Sequence, residues 1–288
     1  MHLRALEREL AEVPGVVSVW CGRLGAEAAY ARNEHETHYA ASTMKVAVLA
    51  ALYERAEAGA VRLDDAVPVH NDFASARSGA PRFGCEQSYD NDDAVWDRVG
   101  GAATPRWLGH RMIVRSSNLA TNLLLELVGV DAVARVYRGA GARHSVVGRG
   151  IEDAAAREAG ITNLVTAADL AALFGAIVTH AVADPAARRE TIFAGPAACQ
   201  EMIDVLLAQE HRADLAAGLP AGTRIAHKGG WIPGVRHGAG VVFPADAPPY
   251  VLVFCSTTPL AAGESDSDEA CLLAARVAAA SWASRHHL

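Results

Sequence analysis

Leu3, Leu6, Leu10 and Val13 recur at the intervals that place apolar side chains on one face of a helix, and Pro14-Gly15 ends the pattern. Two short apolar segments follow, 16–20 and 26–30, punctuated by Gly22 and Gly25, and they predict a hairpin. At the far end, 224–227, 239–243 and 250–255 read as strands separated by the Gly/Pro-rich stretches 229–238 and 244–249, and a helix is predicted over 268–284. The sequence between is mostly helical in character. Helices are predicted over 43–58, closed by Gly59; over 105–112, opened by Thr104-Pro105; and over 119–128, closed by Gly129. Another is predicted over 167–180, where Thr166 and Asp169 stand at capping-box spacing, and Asp184-Pro185 opens one more. Strands at both chain ends with helices between them predict an α/β (α+β) unit. Residues 1–38 and 214–288 would form an antiparallel sheet, residues 39–213 an inserted all-helical subdomain, and the active cleft would lie between the two. Residues 70–104 and 142–165 lack clear periodicity, and segments of that length in a compact domain are candidate walls of a site.

Composition narrows the function. Hydrophobic residues make up 51% of the 288 and charged residues 20%, enough apolar material for a sizeable core. Thirty-three acidic against 26 basic residues give a net charge of −7, the wrong sign for holding nucleic acid through its phosphates. The longest apolar run, residues 46–53, is far below the roughly 20 residues needed to cross a bilayer. The charged opening stretch lacks the apolar run of a secretory signal, so cytoplasmic placement is expected. The expected partner is therefore a small-molecule substrate, with no nucleic acid and no membrane. Five scattered cysteines without CxxC spacing predict buried thiols, not a disulfide framework or a zinc site. His35-Glu36-Thr37-His38 lacks the four-residue offset of a helical metal motif, so neither a metal nor another cofactor is expected.

Three short stretches carry the chemistry. Ser42-Thr43-Met44-Lys45 opens a predicted helix, and an offset of three puts serine and lysine on one helical face, where the amine can take the hydroxyl proton. Ser116-Ser117-Asn118 precedes the predicted helix 119–128, and His227-Lys228-Gly229-Gly230 ends a predicted strand. Alone, each reads as an ordinary cap or turn.

In this order and on these elements, the three resemble the Ser-x-x-Lys, Ser-Asp-Asn and Lys-Thr-Gly set of the penicillin-recognising serine enzymes, the class A β-lactamases and penicillin-binding proteins. The flanks add to the likeness, which runs from about Val16 to Trp282: Leu63-Asp64-Asp65 follows the first helix, and Met112 to Leu124 looks like the family's helix junction. The resemblance implies a five-stranded antiparallel sheet flanked by helices plus an all-helical subdomain, and a serine hydrolase working through an acyl-enzyme. Residue by residue, Ser42 is the implied nucleophile, Lys45 its base, and Ser116 the donor to the leaving group. Lys228 would favour a neutral Lys45 and help hold a substrate carboxylate, and Asn118 would bind an acylamide. Gly230 falls on the pattern's last glycine, and the backbone N–H groups of Ser42 and Trp231 form the implied oxyanion hole.

Several positions depart from the pattern. Ser117 replaces an aspartate, and Gly229 replaces the residue whose hydroxyl binds the substrate carboxylate in the family; Arg236 and His237, across the turn, are candidates to supply that charge. Glu152 is the nearest match to the family's deacylating glutamate, with Glu158 behind it, and the competing reading pairs Glu152 and Asp153 with Arg149 to pin the loop. The predicted reaction is hydrolysis of a small ester, amide or β-lactam. The alternatives are a true but weak class A β-lactamase and an acyl-accepting sensor that does not turn over. A glutaminase also uses Ser-x-x-Lys, but nothing else in the sequence matches its pattern.

Overall fold

The computed structural model describes residues 2–181, 193–263 and 265–288. Its ten α-helices among these residues are α1 (Glu7–Glu12), α2 (Lys45–Glu57), α3 (Asp93–Trp96), α4 (Pro105–Val114), α5 (Asn118–Val128), α6 (Val130–Gly139), α7 (Ala154–Glu158), α8 (Ala167–Ala181), α9 (Pro196–Leu207) and α10 (Glu269–Ser284). The strands are β1 (Val16–Arg23), β2 (Tyr30–Arg32), β3 (His38–Tyr39), β4 (Val67–Pro68), β5 (Ala102–Ala103), β6 (Val146–Val147), β7 (Asn163–Val165), β8 (Arg224–Ile232), β9 (Val235–Phe243) and β10 (Tyr250–Thr257). Five of them make one antiparallel sheet in the order β2-β1-β10-β9-β8, so β1 lies beside the last strand and β8 is an edge. Strands β3, β7 and β6 form a second small sheet, and β4 pairs with β5.

Alternation along the strands feeds two cores. Val17, Val19, Cys21, Leu252 and Phe254 pack with Leu3, Leu6 and Leu10 of the first turns and with Leu273 and Val277 of α10. Val241, Val251, Val253 and Cys255 face the other way, onto a core shared with α2, α4, α5, α6, α8 and α9. Each such side chain, fully buried, contributes about 1.5–3 kcal/mol of transfer free energy. Helix α2 is buried from Lys45 to Tyr53, because the helices of one face surround it.

The observed elements differ from the expected ones where tertiary contacts decide. The first helix divides into a 3-10 turn, Leu3–Leu6, and α1. The hairpin's second strand begins at Tyr30, not at residue 26, because Tyr30 takes the register position opposite Cys21. Strands β8 and β9 run through most of the Gly-rich stretch expected to be loop, turning only at Pro233-Gly234, where Gly234 takes φ +85°. The glycines are there for close approach: a Cβ at Gly240 would stand 2.6 Å from the Ala226 carbonyl. Helices α3, α6, α7 and α9 had no predicted counterpart; α6 forms because Val133, Val136 and Tyr137 fall on one buried face. The helix expected at Asp184-Pro185 lies outside the described residues. No helix among the described residues is long and apolar enough to cross a membrane.

Candidate active site

Ser42 lies in a 3-10 turn, Ala41–Met44, that runs directly into α2. Ala41 holds φ +44° and Ser116 +61°, and Glu152, on the loop before α7, holds +66°. Only one other non-glycine among the described residues, Asn33, is left-handed, so three of four such residues border one site, each at a cost of about 1–3 kcal/mol.

Ser116 is the hub. Its Oγ accepts hydrogen bonds from Lys45 Nζ at 3.2 Å and from Lys228 Nζ at 3.0 Å, leaving its own proton free to donate. Lys45 Nζ also donates to the Ser116 carbonyl at 2.6 Å and to Asn118 Oδ1 at 2.9 Å. Lys228 Nζ also donates to the Gly229 carbonyl at 2.9 Å. Both amines are fully buried. Burial lowers the Lys45 pKa to about 7, opposed chiefly by the negative charge of Asp90. Lys228 is held well below the ordinary lysine range, by burial first and then by the charge on Lys45. The repulsion between the two buried amines is mutual, so it adds to burial in disfavouring a second positive charge at this centre.

Gly230 packs against the start of α2 so closely that a Cβ would lie 2.8 Å from Ser42 N, which explains glycine at this point of the edge strand. Trp231 follows it and, with Ser42, Tyr39, Tyr89, Asn118 and Glu152, lines a cavity of about 680 Å³. Both long irregular segments supply walls of this cavity, 70–104 through Tyr89 and Asn91, and 142–165 through residues 149–162.

Glu152 is half-buried, and its carboxylate accepts from Glu86 N at 2.8 Å, while Oε1 has no partner. Burial raises its pKa above the usual carboxylate range. The loop-pinning ion pair does not form. Arg149 donates instead to the Gly150 carbonyl and Tyr39 Oη, and Asp153 caps α7 at Ala156 N and binds Ser75 Oγ and Ala76 N. Glu158 is exposed and does not line the cavity.

Arg236 and His237 require correction as candidate substrate ligands. Both lie inside β9 and neither lines the cavity. Arg236 donates to the Gly263 and Ser265 carbonyls; His237 is fully buried between the Tyr39 and Arg236 carbonyls, and burial lowers its pKa to about 4, so it is neutral. The missing hydroxyl at Gly229 also has a physical cause. A Cβ there would fall 2.2 Å from Oδ2 of Asp214, a buried carboxyl whose pKa burial raises to about 6.

Asp90, in the long loop, supports the site in a way the sequence pattern does not show. Its Oδ2 accepts from Leu119 N at 2.8 Å and from Ser117 Oγ at 3.1 Å, so a carboxylate from the long loop stands beside the serine that replaces an aspartate in the motif. The Tyr89 carbonyl accepts from Asn118 Nδ2 at 3.0 Å, fixing the other end of that amide. The acidic run 90–93 was visible, but nothing local ties it to α5. Cys85 is buried with its pKa pushed up to about 12, an inert thiol; all five cysteines are free and buried. No cluster of three or more His, Cys, Asp or Glu suited to a metal occurs among the described residues.

A five-stranded sheet drawn from both chain ends around a helical insertion, with the polar centre at its edge strand, is the class A β-lactamase fold. The chain belongs to the beta-lactamase enzyme family, whose model matches residues 3–284. It is similar to an ancestral class A β-lactamase at 22% identity and a TM-score of 0.77, covering 98% of this chain and 100% of that one. The beta-lactamase from Sphaerobacter thermophilus gives 23% and 0.72, over 98% and 96%. PBP-A gives 20% and 0.74, over 98% and 95%; a substituted form of PBP-A, solved as an acyl-enzyme complex with penicillin G, gives 21% and 0.73, over 98% and 96%. Among curated proteins none matches the sequence.

Proposed function

We propose that the protein is a serine hydrolase that cleaves a small ester, amide or β-lactam through an acyl-enzyme on Ser42. The observation that carries this reading is the Ser116 hydroxyl, held between Lys45 Nζ and Lys228 Nζ behind a cavity into which Ser42 opens. Lys45, brought to about 7 by burial, takes the Ser42 proton as Oγ bonds the substrate carbonyl carbon. Charge gathering on the carbonyl oxygen falls to the backbone N–H groups of Ser42 and Trp231. As the scissile bond breaks, the leaving atom takes the Ser116 proton, which Lys45 replaces. A water that gives a proton to Glu152 then attacks the ester carbonyl, and that proton returns to Ser42 Oγ as the acid leaves. The placement of Glu152 on the cavity wall favours this turnover over a sensor that stops at the acyl-enzyme.

Intact-protein mass spectrometry after exposure to a penicillin or a p-nitrophenyl ester, with product release followed in parallel, tests the reading. The expected result is a transient adduct with continuing release, both abolished in Ser42→Ala. Hydrolysis retained in Ser42→Ala would overturn the mechanism, and a permanent adduct without release would make the protein an acyl-accepting sensor.

A further inference from the structure

Arg149 is 4% exposed and lines the cavity, yet it forms no ion pair among the described residues. A guanidinium offers five N–H donors. Here it meets the Gly150 carbonyl at 3.0 Å and Tyr39 Oη at a long 3.3 Å, and its buried Nε has no partner. Arg157, exposed on α7, lines the same wall and likewise forms no ion pair among the described residues. The neighbouring acids do not neutralise them: the Asp153 carboxylate is taken up by Ser75, Ala76 and Ala156, and Glu152 accepts from Glu86 N. On the opposite side the cations are engaged elsewhere, Lys228 with Ser116 and the Gly229 carbonyl, and Arg236 with the Gly263 and Ser265 carbonyls. A buried guanidinium without an anion is costly, and a carboxylate is the partner whose two oxygens match its fork.

We propose that Arg149, with Arg157 at its outer edge, is an anion subsite that receives a carboxylate carried on the acyl part of the substrate. The assignment to the acyl part rests on the Ser42 acyl-enzyme reading: Glu152 stands on this wall, so the group that stays on the enzyme until water attacks is the group that faces it. The preferred substrates are then monoesters or monoamides of short dicarboxylic acids and compounds of like charge.

Two measurements decide it. The first compares Ser42 acylation by mono-p-nitrophenyl glutarate with that by its neutral methyl ester. The free acid is expected to react about tenfold faster or more, an advantage that shrinks as salt is added and falls toward unity in Arg149→Gln and in Arg157→Gln. Equal rates, or a preference that survives both substitutions, would overturn the proposal. The second titrates glutarate itself into the Ser42→Ala protein by calorimetry, which needs no chemistry. Binding that Arg157→Gln, a change at an exposed position, weakens severalfold sustains the subsite even if neither ester acylates Ser42 and the hydrolase reading falls. No binding, or binding indifferent to Arg157, removes the subsite while leaving the hydrolase reading to its own test.

Discussion

The two sides of the cavity hold their residues in place by different means. Ser42, Lys45 and Ser116 sit at the ends of helices, and Lys228 sits within a strand, so the periodic backbone bonds of α2, α4, α5 and β8 fix their positions. The opposite side, residues 142–162, has little regular structure, and side chains from elsewhere take over the backbone bonding. Asn122 bonds both the N–H and the carbonyl of Ile151. Asn163 bonds Gly148 N, Arg149 N and the Arg149 carbonyl, and Asp169 accepts from the N–H groups of residues 143–145. Buried amides and carboxylates thus meet the demand for paired peptide groups that a helix or sheet ladder meets elsewhere. A wall built this way depends on a few single residues, whereas the helical wall spreads its support over many.

That contrast is sharpest for the second half of the reaction. Glu152→Gln is expected to slow deacylation by about 10²–10⁴-fold while leaving Ser42 acylation nearly intact, so the adduct accumulates. Unchanged steady-state turnover would remove Glu152 from the chemistry. Asn163→Ala strips three backbone groups of their partner at a fully buried position, and a loss of roughly 2–4 kcal/mol in chemical unfolding is expected, with deacylation impaired more than acylation. Equal damage to both steps would show that the walls are not separable. The smallest effect concerns Asp90, which the long loop brings against the helical wall. Its charge favours the protonated form of Lys45, whereas the base must be neutral, so acylation rises as pH climbs through about 7. Asp90→Asn keeps an acceptor for Leu119 N but removes the charge, so the Lys45 pKa falls further and the acidic limb of the acylation profile moves to lower pH. A shift toward higher pH, or none, would refute this role.

The same contrast explains what could be read from the residues alone. The Ser42–Lys45 offset, the Ser116–Asn118 junction and the α5 that follows are local, and local periodicity carries them; Ser117 Oγ indeed accepts from Ala120 N as a cap. Asp90 was out of reach because its bonds go to Ser117 and Leu119, far along the chain. Arg236 and His237 were expected just beyond a turn, within reach of the substrate, because the glycines suggested a loop from 229 to 238. Instead, Gly229, Gly230 and Gly238 lie in two long strands packed tightly against Asp214, Leu215 and the turn that carries Ser42, and those strands take both residues into the sheet. Asp214 gave no signal either, since only the folded chain brings its carboxyl against Gly229.

The pairing of β1 with β10 sets Val16 opposite Thr257. On a ribosome adding about 5–20 residues per second, the N-terminal strand therefore waits on the order of ten seconds or longer for its neighbour in the centre of the sheet. Its apolar edge must be sheltered meanwhile by the nascent chain itself or by a chaperone, and the sheet closes as a late event whose loop-closure entropy slows folding. A circular permutant that joins the two ends through a short linker and opens the chain in an exposed loop of the helical region would bring β10 and β1 far closer in sequence, with only α10, the linker and the first turns between them. Refolding of that permutant should be faster than that of the natural order.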